Sequence, residues 1–450
     1  MALALSYPDH ARRLWALGLP LIVSHLAQLA LTTTDIVMLG WYGVAELAAV
    51  SVMGGFSFIL MIVGAGFAFA VMPLVAAASE RGDEAEIRRS TRMGLWLSGL
   101  YFILVLPLMY WAGPILLLLG QEPVIADLAQ DYARINAYAV LAGLFVFVLK
   151  SYLSALELTR IILWATLSAV FINGAVNYVL IFGRLGAPEL GVRGAAFASV
   201  LSAVWTSAVL AVYALRKMPQ HELFRNIWKF DPEIARKVFH LGWPIGLTNF
   251  AETGLFSAAA IMMGWLGTVP LAAHGIAIQI ASLTFMVHLG LSTAATVRAG
   301  RAMARDEPVN LKRGAIVACL SSFSFSLITI VCFLAFPEFL LGLFLDPNEP
   351  QREAILRIGV GLLGMAALFQ LADGAQVIAL GLLRGLQDTR VPLVMAAISY
   401  WGVGVPVALI AGFSAGLGGI GIWMGLVCGL AMAAVLLHIR FWNHTAPTVQ

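Results

Sequence analysis

Ten residues at Gly40–Ala49, GWYGVAELAA, return as GWLGTVPLAA at Gly264–Ala273, with six of the ten identical. Every match sits at one offset, 224 in sequence number. The same offset pairs Leu17 with Leu241, Gly18 with Gly242, Pro20 with Pro244, Met38 with Met262 and Pro123 with Pro347. The chain is therefore an internal duplication. Any fold assigned to one half must suit the other.

Composition says what kind of unit is repeated. The chain is 61% hydrophobic and 11% charged, with a mean hydropathy of +0.90. A soluble domain is nearer half apolar and a quarter charged. Apolar runs of about 18 residues or more recur from end to end, each long enough to cross a bilayer as a helix. They carry the Gly, Ala and Ser that membrane helices use for close packing. The longest polar segment, 216–237, is too short for a soluble domain. Cys319, Cys332 and Cys428 all lie inside apolar runs. An odd number without metal-ligand spacing predicts neither disulfides nor a zinc site. The first apolar run is a full-length helix with no small-residue cleavage site after it, so no cleaved signal peptide is expected. The net charge of +3 is too small to imply a nucleic-acid partner.

Reading apolar runs against polar breaks predicts twelve helices. Their cores are 14–39, 48–78, 93–119, 125–149, 161–183, 191–215, 239–265, 272–300, 314–343, 354–383, 391–413 and 418–439. Six precede the polar segment and six follow it. Basic residues set the orientation. Of the 27 Lys and Arg, all but Arg134, Arg184, Arg193, Arg352 and Arg357 fall on one side, a 22:5 split. The rich side is expected to be cytoplasmic, with both termini and the linker there. The domains expected are an N-lobe over 1–215, a cytoplasmic linker over 216–237 and a C-lobe over 238–450. Each half has an even number of spans, so the two copies share one orientation and a pseudo-two-fold axis along the membrane normal. That plan is typical of secondary transporters.

Most of the 24 acidic residues sit in loops or at span ends. Asp35 in helix 1, Glu252 in helix 7 and Asp373 in helix 10 do not. A carboxylate inside the hydrocarbon layer costs roughly 3 kcal/mol on insertion scales. The plain alternative is a buried ion pair, but no Lys or Arg lies near the middle of a predicted span. The charge must then be met by a proton, a metal cation or a cationic substrate. In helix 1, Ser24, Gln28, Thr32 and Asp35 form one polar stripe at helical spacing, with His25 beside its start. In helix 7, Thr248 and Asn249 precede Glu252; in helix 10, Gln376 follows Asp373. Asn173 and Asn177 share a face of helix 5 and are candidates for the hydrogen-bond shell of Asp35. At offset 224, Glu252 aligns with Gln28 and Asp35 with Ala259, so each half carries its own acid. Pro20 and Pro244 lie inside helices 1 and 7, where proline frees a carbonyl and permits either a static bend or a hinge. His25, His240, His274 and His288 read individually as helix-to-helix hydrogen bonds.

These residues carry a resemblance. Pro20 with Asp35 and MLGWYGVAELAA, NYVLIFG at Asn177–Gly183 with GVRGAA after it, Pro244 with Glu252, PLAAH at Pro270–His274, and LADGAQVIALGLLRGLQDTR at Leu371–Arg390 resemble a multidrug and toxic compound extrusion (MATE) transporter of the NorM-like branch. The likeness covers essentially the whole chain and is most specific in helix 10. It implies an all-α membrane protein with two six-helix lobes around a cleft that opens to each side in turn. It implies export of cationic amphipathic drugs in exchange for Na⁺ or H⁺, with no organic cofactor. By position, Glu252 and Asp373 match the C-lobe cation site, with Asn249 and Gln376 beside them. Asp35, Asn173 and Asn177 match the N-lobe acidic cluster, with Gln28 and Thr32 on the same stripe. Three residues depart from the pattern. Asn177 stands where some members carry an acid, Phe369 where many carry Tyr, and Gly275 follows His274 where a Gln is usual. The expected location is the bacterial inner membrane, and a monomer is expected.

Other classes fit less well. A lipid or lipid-linked oligosaccharide flippase of the same superfamily handles anionic headgroups, whereas the intramembrane charges here read as acidic. The loop SERGDEAEIRRS does not fit the signature of major-facilitator transporters. No nucleophile–base pair argues for an enzyme, and the non-equivalent acids argue against a channel.

Overall fold

The computed structural model describes residues 5–445. Twelve long helical segments follow one another there: α1 Tyr7–Tyr42, α2 Val44–Glu80, α3 Glu84–Tyr110, α4 Pro123–Ala155, α5 Thr159–Ile181, α6 Val192–Lys217, α7 Pro232–Leu266, α8 Thr268–Ala304, α9 Pro308–Ala335, α10 Arg352–Gly385, α11 Arg390–Ser414 and α12 Gly418–Arg440. Eleven of them are long and apolar enough to cross a membrane. The exception is α7, whose apolar middle is diluted by Thr248, Asn249, Glu252 and Thr253. The duplication extends to the breaks. Short helices Ala112–Leu118 and Pro337–Gly342 follow α3 and α9. Gly43 separates α1 from α2. Its counterpart at offset 224, Gly267, separates α7 from α8 at a φ of 126° that only glycine adopts without strain. The fifth helix of the repeat differs: α11 contains two π-helical turns, Ile398–Gly404 and Ile410–Ser414, whereas its counterpart α5 is α-helical throughout.

The linker is shorter than 216–237. Arg216 and Lys217 are the last turn of α6, and α7 already begins at Pro232. Polar residues at helix ends are still helical. Asp231 Oδ1 accepts the Ile234 amide at 3.2 Å, which caps α7 directly ahead of Pro232.

The chain forms two compact units, but their boundaries are not those of the two halves. One unit comprises 1–22 and 247–450, the other 23–246. The divisions fall inside α1 and α7, at equivalent positions of the repeat. The physical reason is a reciprocal exchange of helix starts. In the first unit, Gly18 faces Leu291 of α8, and a Cβ on Gly290 would collide with Ile22 Cγ1. In the second unit, Gly242 faces Phe67 of α2, and a Cβ on Gly66 would lie 2.5 Å from the Gly246 nitrogen. These contacts are the same pairs shifted by the repeat offset. Pro20 and Pro244 sit just before the two divisions, so each kinkable site falls where its helix leaves one unit for the other.

Matching clasps hold the exchanged starts. Arg313 of α9 donates to the Leu5 carbonyl at 2.8 Å and lies 5.5 Å above the Tyr7 ring. Its counterpart at offset 224, Arg89 of α3, pairs with Asp231 and with Glu233 at 3.2 Å. The linker is pinned further by Arg88 on Glu222 at 3.0 Å and by Trp96 Nε1 on the Ile227 carbonyl at 2.7 Å.

Candidate functional site

Each unit carries a polar focus of its own. In the 23–246 unit it is built around Asp35, half-buried on α1. Asn177 Nδ2 donates to its Oδ1 at 2.5 Å, and Ser199 Oγ of α6 donates to its Oδ2 at 3.2 Å. Asn173, one turn earlier on α5, accepts from the same Asn177 amide at 3.1 Å. Tyr132 of α4 is buried beside them, within reach of both Ser199 and the Asp35 charge. The carboxylate is thus held by neutral donors from two neighbouring helices. Asn177 Oδ1 is buried without a partner among the described residues, so the shell has one unused acceptor. Ser199 and Tyr132 are not legible in the sequence. A lone Ser or Tyr in an apolar helix has no local signature, and only the packing of α4, α5 and α6 brings them in.

The rest of the α1 stripe is put to different uses. Ser24 Oγ bonds Thr166 Oγ1 of α5 at 2.9 Å, a helix-to-helix contact. Gln28 and Thr32 are exposed. Gln28 Oε1 accepts from Lys150 Nζ of α4 at 3.2 Å. The expectation is that no Lys or Arg lies near the middle of a span, and Lys150 reaches the stripe from near the end of α4 by its long side chain.

In the other unit, α7 and α10 meet. Gln376 Nε2 donates to Glu252 Oε1 at 3.3 Å. Asp373, one turn before Gln376, is 2% exposed and interacts with the Glu252 charge. Here too a basic residue arrives unannounced. Arg384 is eleven residues beyond Asp373, about 16 Å along the helix, yet its guanidinium donates to Asn249 Oδ1 at 3.0 Å and interacts with the charge of Glu252. The focus is therefore two carboxylates against one guanidinium, not a set of unaccompanied acids. Tyr400, in the first π-helical turn of α11, is fully buried and senses Glu252, Asp373 and Arg384. An extra residue per turn re-aims side chains, and such turns recur at functional sites.

Among the described residues no three His, Cys, Asp or Glu side chains are grouped to hold a metal. A cation near Glu252 and Asp373 would need amide and hydroxyl oxygens as well. Gln376 Oε1 and Tyr400 Oη are both buried and have no hydrogen-bond partner among the described residues.

Aromatic packing walls this focus. Trp401 Nε1 donates to the Ala251 carbonyl at 3.2 Å, and a Cβ on Gly254 would lie 2.7 Å from its ring. Phe369 packs edge-on against Phe256 and Trp423, with centroids 5.9 and 5.8 Å apart. Trp423 Nε1 donates to His274 Nδ1 at 3.1 Å. His288 bonds Ser322 at 2.8 Å. Both histidines are thus helix-to-helix contacts. At offset 224, Asn177 and Ser199 align with Trp401 and Trp423. What is a polar shell in one copy is an aromatic wall in the other.

Comparison with known proteins agrees with the duplication. Residues 20–179 and 244–410 match the model of the MatE family, and the two matches start at Pro20 and Pro244, equivalent positions of the repeat. The chain is 44% identical over 441 residues to a probable multidrug resistance protein NorM of Rhizobium meliloti, covering 97% of this chain and 94% of that one. Its fold is similar to a structure described as the outward-facing conformation of a multidrug resistance MATE family transporter of the MOP superfamily. The TM-score is 0.88 at 19% identity, over 98% of this chain and 97% of that one. A MOP superfamily transporter from Pyrococcus furiosus, described as having a binding pocket of reversed polarity, matches with a TM-score of 0.86 at 20% identity, over 98% of this chain and 96% of that one.

Proposed function

The chain belongs to the MatE family, and on that premise we propose that it is a multidrug exporter which moves organic cations out of the cell in exchange for Na⁺ or H⁺. The observation that carries this reading is the pair of non-equivalent acidic foci, Asp35 in one unit and Glu252 with Asp373 in the other. Each offers carboxylate charge and spare buried oxygens to a cation inside an apolar chain. The names of its relatives supply the drug substrates.

The mechanism is alternating access with mutually exclusive occupancy. A cationic, partly apolar drug binds from the cytoplasmic side near the acids. A proton or Na⁺ entering from outside neutralises the same acids and lowers their affinity for the drug. The inward ion gradient then drives the drug outward, with about 2.3 kcal/mol per charge per 100 mV and any concentration term added. Pro20 and Pro244 are the hinges, placed at the points where α1 and α7 change units. The basic side, with both termini and the linker, faces the cytoplasm, and the protein works as a monomer in the inner membrane.

Lys150 on Gln28 and Arg384 on Asn249 favour a second reading, a flippase for an anionic lipid or lipid-linked oligosaccharide, since each puts positive charge beside a polar focus. Efflux from proteoliposomes separates the two. A cationic dye should leave under an imposed pH or Na⁺ gradient, and whichever gradient works names the ion. Lipid-headgroup translocation with no dye efflux under either gradient would establish the flippase instead.

A further inference from the structure

The 23–246 unit bears a groove of about 510 Å³ between α5 and the C-terminal half of α6. Its floor is a single stripe of α6. Trp205, Val209 and Val212 recur at helical spacing, Ile161 of α5 closes the other side, and Arg216 and Lys217 end the stripe. Trp205 and Val212 are 43% and 46% exposed, so the stripe opens outward from the helix pair. The indole is held in place by Nε1 donating to Ser168 Oγ at 2.9 Å.

Two features single this groove out. From Trp205 to Arg216 the stripe runs about 16 Å along the helix, close to the thickness of one leaflet of a hydrocarbon core of about 30 Å. Its basic end is also uncommitted. Farther along the chain Arg225 pairs with Glu222 at 2.6 Å and Lys237 with Glu233 at 3.3 Å. Arg216 and Lys217 are exposed and pair with no acid among the described residues.

We propose that this groove is a binding site for one anionic phospholipid, with an acyl chain along the Trp205–Val212 stripe and the phosphate headgroup between Arg216 and Lys217. Charge complementarity selects the occupant. An apolar slot of leaflet length in a membrane-spanning helix pair is filled by an acyl chain, and two free cations at its end favour a negative headgroup over a zwitterionic one. The aromatic ring near the far end gives the chain a flat, rigid surface.

The test uses the full chain purified in detergent. Native mass spectrometry follows retention of dioleoyl phosphatidylglycerol against dioleoyl phosphatidylcholine. The wild type should prefer the glycerol lipid. The double variant Arg216→Gln, Lys217→Gln should lose that preference by roughly tenfold, since each basic residue near a headgroup contributes on the order of a few-fold or more. Val209→Trp, which fills the slot and leaves both charges, should reduce retention of both lipids. Arg12→Gln, Arg13→Gln, which removes another exposed basic pair at a helix end, should change neither. A thermal midpoint in detergent matching the wild type certifies that each variant is folded. Equal retention of both lipids by the wild type, an unchanged preference in the Arg216, Lys217 variant, or an equal loss in the Arg12, Arg13 variant would overturn the site.

Discussion

Gly66 of α2 and Gly246 of α7 approach so closely that a Cβ on Gly66 would lie 2.5 Å from the Gly246 nitrogen and would also collide with the Gly242 carbonyl oxygen. This contact holds the exchanged start of α7 in its unit, as Ile22 against Gly290 holds that of α1. Gly66→Val should therefore destabilise the protein by about 3 kcal/mol or more, because the obstacle is backbone and cannot rotate away. Gly54→Ala, where a Cβ meets nothing within 4 Å, should be neutral or slightly stabilising. Thermal midpoints of the two variants in detergent check this, and similar midpoints would refute it.

Glu252→Ala and Asp373→Ala are each expected to reduce ion-coupled efflux to the level of empty liposomes while the protein still reaches the membrane. The two acids share charge interactions with Tyr400, and Arg384 lies against Glu252. Losing either acid leaves one carboxylate to one guanidinium, with no net negative charge for a coupling cation. Full efflux from the double variant would remove this focus from the coupling mechanism.

Asp35→Asn keeps the shape of the side chain and imitates permanent protonation. Asn177 can still donate to its oxygen, and the Ser199 hydroxyl, which donates to the second carboxylate oxygen in the wild type, can accept from the new amide nitrogen. The variant should fold, bind some drug and lose transport driven by a pH gradient. Wild-type export by Asp35→Asn under a pH gradient alone would make Asp35 structural.

Lys150→Gln tests the choice of substrate charge. It bonds Gln28 and lies near His25, and no acid pairs with it among the described residues, so the change removes positive charge and strands no acid. A cation exporter should keep at least about half its dye efflux, within a factor of two or ~0.4 kcal/mol. Abolished transport would point to an anionic substrate.

The linker should loosen in mild acid. His221 is buried 2.6 Å from Tyr152 Oη, and burial with Arg88 nearby holds its pKa below the ordinary 6.5, although Glu84 pulls the other way. A depressed folded value means the unfolded segment binds the proton more readily. The stabilising contribution is thus complete above about pH 6.5 and is lost as pH falls through the folded value. Protection factors over 218–231, corrected for the intrinsic pH dependence of amide exchange, should fall between pH 7.5 and 5.5 more than those over α4, and His221→Gln should flatten the difference. An equal pH response in that variant would exclude His221 as the cause.

What can be read without coordinates comes from periodicity and repetition. A repeat at offset 224 in a chain of long apolar runs compels a duplicated helical membrane unit, because hydrocarbon leaves a single span no other way to satisfy its backbone. The polar stripes are legible for the same reason: Asp35, Asn173 with Asn177, and Glu252 stand out wherever their neighbours are apolar. Side chains that come from another helix are not. Ser199 and Tyr132 are ordinary in their own segments, and Lys150 and Arg384 read as span ends although their long stems turn them inward. The division of the chain was decided by tertiary structure alone. Sequence order puts residues 5–22 with the first half, yet Gly18 and Ile22 pack on α8, while Gly242 and Gly246 pack on α2. The two copies are close enough in sequence for each helix start to fit the other copy's groove. Local pattern could not say which groove it would fill, since both present a glycine at the equivalent position, Gly66 and Gly290.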